Sequence, residues 1–315
     1  MKKYFITSDV HSFYTPLINA LTEVGFDVNN PEHILIVDGD LFDRGEETVE
    51  VYNFIKSIPK DRRILIRGNH EYLLKSLVKK DLPQSYDISN GTVSTIFQFC
   101  GCIPPKIDWT KDFTFKSKME ELYFDIVSTV SMEDYYDYRY SDYDWEERKK
   151  LVKRWQKVVN KFNALGIIEW IDSDEWIDYY ELGNLVITHA FIPVDFPAGT
   201  DMYRPSYELL HYIPNWRELP RLDFEYATWG CPYKLYDAGL FDKEKENGKI
   251  LVCGHWHTFD FRQHYDNIYY RKTEDFDNSL FYRENLIALD ACTVLSKFVN
   301  VLVVEDGKLY YTYKK

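Results

Sequence analysis

The chain has 315 residues, enough for one large domain or two ordinary ones, and its 45% hydrophobic content suits a globular protein with a proper core. A formal net charge of −13 excludes a general nucleic-acid binder, which needs clustered lysine and arginine to hold a phosphate backbone. The charge leaves phosphorylated substrates open, because bound divalent ions reverse the sign of a pocket locally.

The five cysteines, Cys100, Cys102, Cys231, Cys253 and Cys292, are odd in number and scattered, and Cys100-Gly101-Cys102 lacks the two-residue spacer of zinc and redox pairs. They read as reduced thiols of a cytoplasmic protein. The apolar run Tyr4-Phe5-Ile6 ends at Ser8-Asp9, too soon for a secretory leader. No run of about 20 apolar residues follows, so no membrane helix is expected.

In chain order, Tyr4 to Thr7 reads as a short buried strand, followed by a helix over Pro16 to Val24 with apolar residues at Leu17, Ile18, Leu21 and Val24. Ile34 to Val37 is a second strand, ending in Asp38-Gly39-Asp40-Leu41-Phe42-Asp43-Arg44-Gly45 and leading to a helix over about Glu46 to Ser57. Arg63 to Arg67 is a third, ending in Gly68-Asn69-His70-Glu71 before another helical stretch to Leu77. Three β-loop-α units in a row predict a mostly parallel sheet flanked by helices. The rhythm then breaks. Residues from about 80 to 175 read as an aromatic-rich helical insertion lying over the sheet within a single domain. Its clearest helix runs from Asp144 to Leu165, with Leu151, Trp155, Val158, Val159 and Phe162 on its buried face. Strands resume at Tyr179 to Leu182 and Asn184 to His189. After a proline-rich loop they continue at Ile250 to Cys253, Leu286 to Asp290, Phe298 to Val304 and Lys308 to Tyr313, with a hairpin turn at Asp306-Gly307. These later strands predict a second sheet packed on the first.

Five of the expected strands end in residues that ligate metals: Asp9 and His11, Asp40, Asn69 and His70, His189, and His255 and His257. Open α/β sheets bind ligands at such ends. Strand alternation aims Asp9 and His11 the same way, and likewise His255 and His257. Of the eight histidines, only His33, His211 and His264 lie elsewhere. Oxygen and imidazole donors without thiolate suit manganese first, with iron or zinc as alternatives. So many donors exceed one tetrahedral ion and suit two divalent ions sharing a carboxylate, a pair that polarises phosphoryl groups.

Asp9-Val10-His11, Gly39-Asp40-Leu41-Phe42-Asp43-Arg44-Gly45, Gly68-Asn69-His70-Glu71, Thr188-His189 and Gly254-His255-Trp256-His257 resemble the five motifs of calcineurin-like metallophosphoesterases. Asp-Arg-Gly and Gly-Asn-His-Glu resemble the PPP branch of serine/threonine phosphatases and symmetrical dinucleoside tetraphosphatases. The resemblance is close over residues 4–78 and looser over about 176–304. It implies a four-layer α-β-β-α sandwich of two mixed sheets flanked by helices. It also implies that Asp9, His11 and His257 hold one metal, that Asn69, His189 and His255 hold the other, and that Asp40 bridges them. His70 would be the general acid, oriented by Asp43, while Arg44, with Asn69 and His70, would contact the phosphate. Attack would come from hydroxide at the dinuclear centre, without a covalent intermediate. The first expectation for the substrate is phosphoserine or phosphothreonine on protein. The alternative is a dinucleoside tetraphosphate or another small phosphoester. A scaffold without activity is disfavoured by the intact ligand positions.

The last motif carries paired histidines where PPP members usually have Gly-His-Thr. No arginine lies between Trp229 and His255 to act as a second phosphate clamp, leaving Lys234, Arg204, Arg217 and Arg221 as candidates. Taken singly, Asp9 would be a cap, His189 a satisfied core histidine and Asp43-Arg44 a surface turn. Five coincidences at five strand ends favour the site. Cys100 and Cys102 read as structural, His211 and His264 as surface residues. The tyrosine–aspartate tract at 134–144 is either a solvated loop or a lid or docking surface.

Overall fold

The computed structural model describes residues 2–105, 116–135, 145–197, 206–241, 244–305 and 308–311, with side chains for all of these except 131–135 and 308–311. Asp144, Arg204, the turn at Asp306-Gly307 and most of the tyrosine–aspartate tract lie outside the described residues.

The three opening units form as expected: β1 (Lys3–Thr7) and α1 (Tyr14–Glu23), β2 (His33–Asp38) and α2 (Thr48–Ser57), β3 (Arg63–Ile66) and α3 (Asn69–Leu77). The strands pair in parallel because each is followed by a helical crossover. A helical stretch follows, α4 (Ser85–Ser89), α5 (Thr92–Phe99), α6 (Lys118–Tyr135), α7 (Trp145–Asn163) and α8 (Ile167–Asp172). It delivers β4 (Trp176–Ile177) back to the first sheet, parallel to β3. Strands β5 (Tyr180–Leu182) and β6 (Leu185–Ile187) begin the second sheet, and β7 (Val194–Asp195) and β8 (His211–Tyr212) pair separately. Helices α9 (Arg221–Ala227) and α10 (Pro232–Asp237) precede β9 (Ile250–Cys253) and α11 (Thr258–Asp266). Then come β10 (Phe281–Arg283), β11 (Leu286–Ala288), α12 (Thr293–Ser296), β12 (Leu302–Glu305) and β13 (Lys308–Tyr311). Both sheets are mixed, ordered β13-β12-β1-β2-β3-β4 and β10-β11-β9-β6-β5.

Alternation along the strands builds the layers. Phe5, Leu35, Val37, Leu65 and Val303 face the helices with Leu17, Val51, Val93 and Trp155. Their neighbours Ile6, Ile36, Ile66 and Leu302 face the second sheet, meeting Leu185, Ile187, Val252 and Ile287. The other side of that sheet, through Val186, Leu251 and Ala288, packs under Phe191, Phe224, Leu235 and Phe261. The long helix α7 buries the five residues expected of it, all within the apolar layer that also covers β1 to β3. Arg67 ties the helical stretch to the sheet edge, donating to the carbonyls of Ile171 and Ser173 and to Asp178 at 2.9–3.1 Å.

Strand β4 and helices α9 and α10 escape a reading by periodicity for physical reasons. Two residues of strand carry no period. Pro220 and Pro232 look like loop markers, yet Pro220 immediately precedes α9 and Pro232 opens α10 at a position where a missing N–H costs nothing.

Trp155 is fully buried, stacks with Phe97 and donates its indole N–H to the Lys80 carbonyl at 3.3 Å. Trp155→Ala is expected to cost about 3–5 kcal/mol in urea denaturation. A loss below about 1 kcal/mol would mean that α7 is not integral to this core.

Candidate metal centre

The carboxyl ends of β1, β2 and β3 and of β6 and β9 open at one edge of the two-sheet stack, and the chain turns sharply there. Asp9, His11, Asp40, Asp43, Arg44 and His255 all adopt positive φ, between 49° and 76°. Left-handed backbone costs a non-glycine residue roughly 1–2 kcal/mol. Its concentration at this edge shows that the surroundings force it. β1 ends at Thr7, so strand alternation does not aim Asp9 and His11 together; the left-handed turn after the strand brings them face to face. The motif glycines allow the loops to close. A Cβ on Gly68 would stand 2.2 Å from Asp40 Oδ1, and one on Gly254 would stand 2.2 Å from Asp9 Oδ2.

Two groups of ligand atoms result, His11 with Asp40 and His70, and Asp40 with His189 and His255. Asp40 belongs to both. Its Oδ2 lies 3.7 Å from His11 Nε2 and 3.8 Å from His70 Nε2, and its Oδ1 lies 3.3 Å from His189 Nε2. Asp9 Oδ1 is 3.9 Å from His11 Nε2. Asn69, the first residue of α3, places Oδ1 3.0 Å from His189 Nε2. His257 lines the same pocket but joins neither group. Its Nδ1 lies 3.3 Å from Asp260 and its Nε2 3.8 Å from Asp290. Burial pulls the His257 pKa down, but Asp290 and Asp260 outweigh it and raise it to about 11.

Hydrogen-bond partners orient the rings. His11 Nδ1 donates to the Phe42 carbonyl at 3.0 Å and His189 Nδ1 to the Asp38 carbonyl at 2.9 Å, so each ring turns its Nε2 inward. Burial opposes charge on His189, but Asp40, Asp9 and Asp38 outweigh it and hold its pKa well above the ordinary value. His189 Nε2 faces oxygen atoms of Asn69 and Asp40. Burial and the neighbouring His189 hold His255 down to about 3, so its ring is neutral, as a ligand must be. Asp9, Asp40, Asp43 and Asp290 are each at most 3% exposed. Burying that many carboxylates together is costly unless cations sit among them. Divalent ions therefore fit the donor set. His70 differs from the other histidines. Its Nδ1 donates to Asp43 Oδ2 at 2.7 Å, and its Nε2 accepts from Arg44 Nη2 at 3.2 Å.

The supporting groups are where residue patterns said least. Glu71 accepts the backbone N–H groups of Asp40, Leu41 and Gly68 at 2.7–3.0 Å, so its carboxylate clamps the loop that carries Asp40. Thr92 and Thr95 of α5 donate to the two oxygens of Asp43 at 2.8 and 2.6 Å. Asp290, just beyond β11, accepts the Cys292 N–H at 2.7 Å and faces His257. It is a further carboxylate at a strand end, the same address that marks the other ligands. Asp38 is fully buried, and neither carboxylate oxygen has a hydrogen-bond partner among the described residues. Burial pushes its pKa up to about 8.

Among the described residues, Arg44 is the one lysine or arginine lining the pocket around Asp9, His11 and Asp40. Arg217 is paired with Glu181 and Glu246, and Arg221 lies 3.2 Å from Asp172. Lys234 stands over the Tyr207 ring. Trp229 and Trp256 occupy the pocket wall instead. His33 hydrogen-bonds to the Asp27 N–H, His211 is exposed and His264 pairs with Asp237, all away from this pocket. The five cysteines are free thiols. No described helix is long and apolar enough to cross a membrane.

A model of the calcineurin-like phosphoesterase family matches residues 2–259. Over 99 residues the chain is 32% identical to a protein of Buchnera aphidicola subsp. Baizongia pistaciae named bis(5'-nucleosyl)-tetraphosphatase, symmetrical; the match covers 28% of this chain and 34% of that one. Over 74 residues it is 36% identical to the bis(5'-nucleosyl)-tetraphosphatase PrpE [asymmetrical] of Bacillus velezensis, covering 21% and 30%. The chain thus spans about a third of the length of these curated relatives. A protein serine/threonine phosphatase from Saccharomyces cerevisiae aligns structurally over 99% of this chain and 79% of its own, at 12% identity and a TM-score of 0.46.

Removing the Glu71 clamp strands three buried N–H groups. Glu71→Ala is expected to weaken manganese binding roughly 10–100-fold by titration calorimetry, as for other residues that support metal ligands. Unchanged affinity in a folded variant would contradict the clamp. Asp38 gives a test by pH. Its pKa is raised on folding, so its contribution to stability is fullest below its unfolded value near 3.8 and is lost as pH rises through about 8. In chelator-treated protein, Asp38→Asn should melt higher than wild type at pH 8.5, with the gap closing toward pH 5. A gap that widens on acidification would reverse the assignment.

Proposed function

The chain belongs to the calcineurin-like phosphoesterase family and is a hydrolase, and from that premise we propose that it cleaves phosphoesters at the centre around Asp40. The observation that carries this reading is the membership of Asp40 in both ligand groups, the placement expected of a bridging carboxylate. Asp9 and His11 would hold one ion, with His257 completing that side of the pocket, and Asn69, His189 and His255 would hold the other. Bound there, two divalent ions, manganese among the candidates, polarise a phosphoryl group and supply a water nucleophile at neutral pH.

The chain's own residues do the rest. Asp43, locked by Thr92 and Thr95, keeps the His70 proton on Nδ1 and the ring in one orientation. Nε2 is therefore the atom that must carry a proton to the leaving oxygen. Arg44 donates to that atom in this structure, and its planar fork matches phosphate oxygens. Turning Arg44 onto a bound phosphate frees His70 Nε2 to be protonated, so substrate binding and arming of the acid become one event.

For the substrate, the small-molecule reading is favoured by the pocket wall, where Trp229 and Trp256 stand beside a single described lysine or arginine, Arg44. The names of the two relatives matched by sequence above, each a bis(5'-nucleosyl)-tetraphosphatase, support it. A dinucleoside polyphosphate is the proposed class. Phosphoserine or phosphothreonine on protein is the second reading, supported by the Asp43-Arg44-Gly45 and Gly68-Asn69-His70-Glu71 motifs.

With manganese added, kcat/KM for a dinucleoside tetraphosphate should exceed that for a phosphopeptide by about tenfold or more. A preference for the phosphopeptide would reverse the order of the two readings. Asp40→Ala should lose both bound metal and turnover. His70→Asn should retain metal by elemental analysis while kcat falls roughly 10²–10⁴-fold. Full turnover in metal-loaded His70→Asn would remove His70 from the reaction.

A further inference from the structure

A second cavity opens directly beside the metal pocket, and its chemistry is different. It encloses about 240 Å³ and shares two walls with the metal pocket, Trp229 and Trp256. Phe191, Ile192 and Leu235 line it, with Phe196, Tyr207 and Tyr226 supplying further aromatic surface. No lysine, arginine or histidine is among the described residues lining it, so it offers nothing to a phosphate. The polar side chains lining it include Glu225 on α9 and Ser76 on α3. The indole N–H of Trp256, in the shared wall, is buried and has no hydrogen-bond partner among the described residues. Uncompensated donors are rare in protein interiors.

We propose that this cavity holds the nucleobase of a nucleoside phosphate whose phosphate lies in the metal pocket, with an amino-bearing base such as adenine favoured by Glu225. Three features select that occupant. The volume lies below the roughly 300–1,000 Å³ of pockets that enclose whole drug-sized ligands, so it suits a ring system rather than an extended chain. Aromatic walls stack on flat π-faces, which peptide side chains next to phosphoserine do not generally present. The Glu225 carboxylate can accept from an exocyclic amine and cannot donate. The shared tryptophans place the two pockets side by side, the arrangement a nucleoside phosphate would span. The proposal rests on the phosphoester-hydrolase reading for the identity of the neighbouring pocket, but it concerns binding and is tested by binding.

The experiment uses the manganese-loaded full chain, with AMP and ribose 5-phosphate as probes in titration calorimetry. Two variants block the cavity from positions outside the metal pocket. Ser76→Phe acts from an exposed site on α3, and Ala227→Phe from the buried end of α9. Wild type should bind AMP about tenfold or more tightly than ribose 5-phosphate, and Ser76→Phe should abolish that difference while leaving ribose 5-phosphate affinity within about twofold. Ala227→Phe should do the same if it folds. Equal affinities in wild type, or a base preference that survives in folded Ser76→Phe, would overturn the cavity assignment. Turnover distinguishes the two proposals. Protein that shows the base preference but hydrolyses no phosphoester keeps the cavity and loses the reaction. Protein that hydrolyses phosphoesters without a base preference keeps the reaction and loses the cavity.

Discussion

Everything at the open edge of this fold follows from one electrostatic constraint, the burial of several carboxylates among imidazole rings whose Nε2 atoms point inward. Asp9, Asp40, Asp43 and Asp290 are almost wholly out of solvent, and Asp40 is within 4 Å of three histidine nitrogens. Negative groups do not gather in a low-dielectric interior without compensation. Divalent cations fit this donor set, and the proposed arrangement is a pair with Asp40 between them. The supporting hydrogen bonds are consistent with that demand, since backbone carbonyls of Phe42 and Asp38 orient the rings of His11 and His189.

The same constraint makes the helical stretch after α3 more than a cover. Helix α5 supplies Thr92 and Thr95 to Asp43 and Gln98 to the Gly45 carbonyl, and its N-terminal Gly91 is the residue against which Arg44 lies. A Cβ on Gly91 would stand 2.3 Å from the Arg44 nitrogen, and its φ of +85° is itself a glycine conformation. The orientation of His70 thus depends on a helix that lies outside every metal-ligand motif.

Much of the site was readable from residue types because metal chemistry restricts them severely. Aspartate, asparagine and histidine gathered at five strand ends suit metal binding and little else. The four-layer arrangement was legible through the resemblance of the five motifs to calcineurin-like metallophosphoesterases, while the strand pattern itself pointed only to a helix-flanked sheet with a second sheet packed on it. What could not be read depends on the turns. The left-handed backbone at Asp9, His11, Asp40 and His255 replaces strand geometry, so the pairing of Asp9 with His11 is reached by a route that alternation does not describe. His257, two residues from His255, turns toward Asp260 and Asp290 instead of joining His11. Glu71 closes the Gly68-Asn69-His70-Glu71 motif without an assigned role, and only the fold shows it clamping the Asp40 loop. The cavity beside the metal pocket comes from α3, α9 and the segment after β6, which are distant in sequence and share no motif.

The central claim is that two cations share Asp40. Its most direct measurement is anomalous X-ray scattering from crystals grown with manganese. Two peaks are expected roughly 3.5–4 Å apart, both in contact with the Asp40 carboxylate, one beside His11 and the other beside Asn69, His189 and His255. A single peak, or two peaks of which only one touches Asp40, would contradict it.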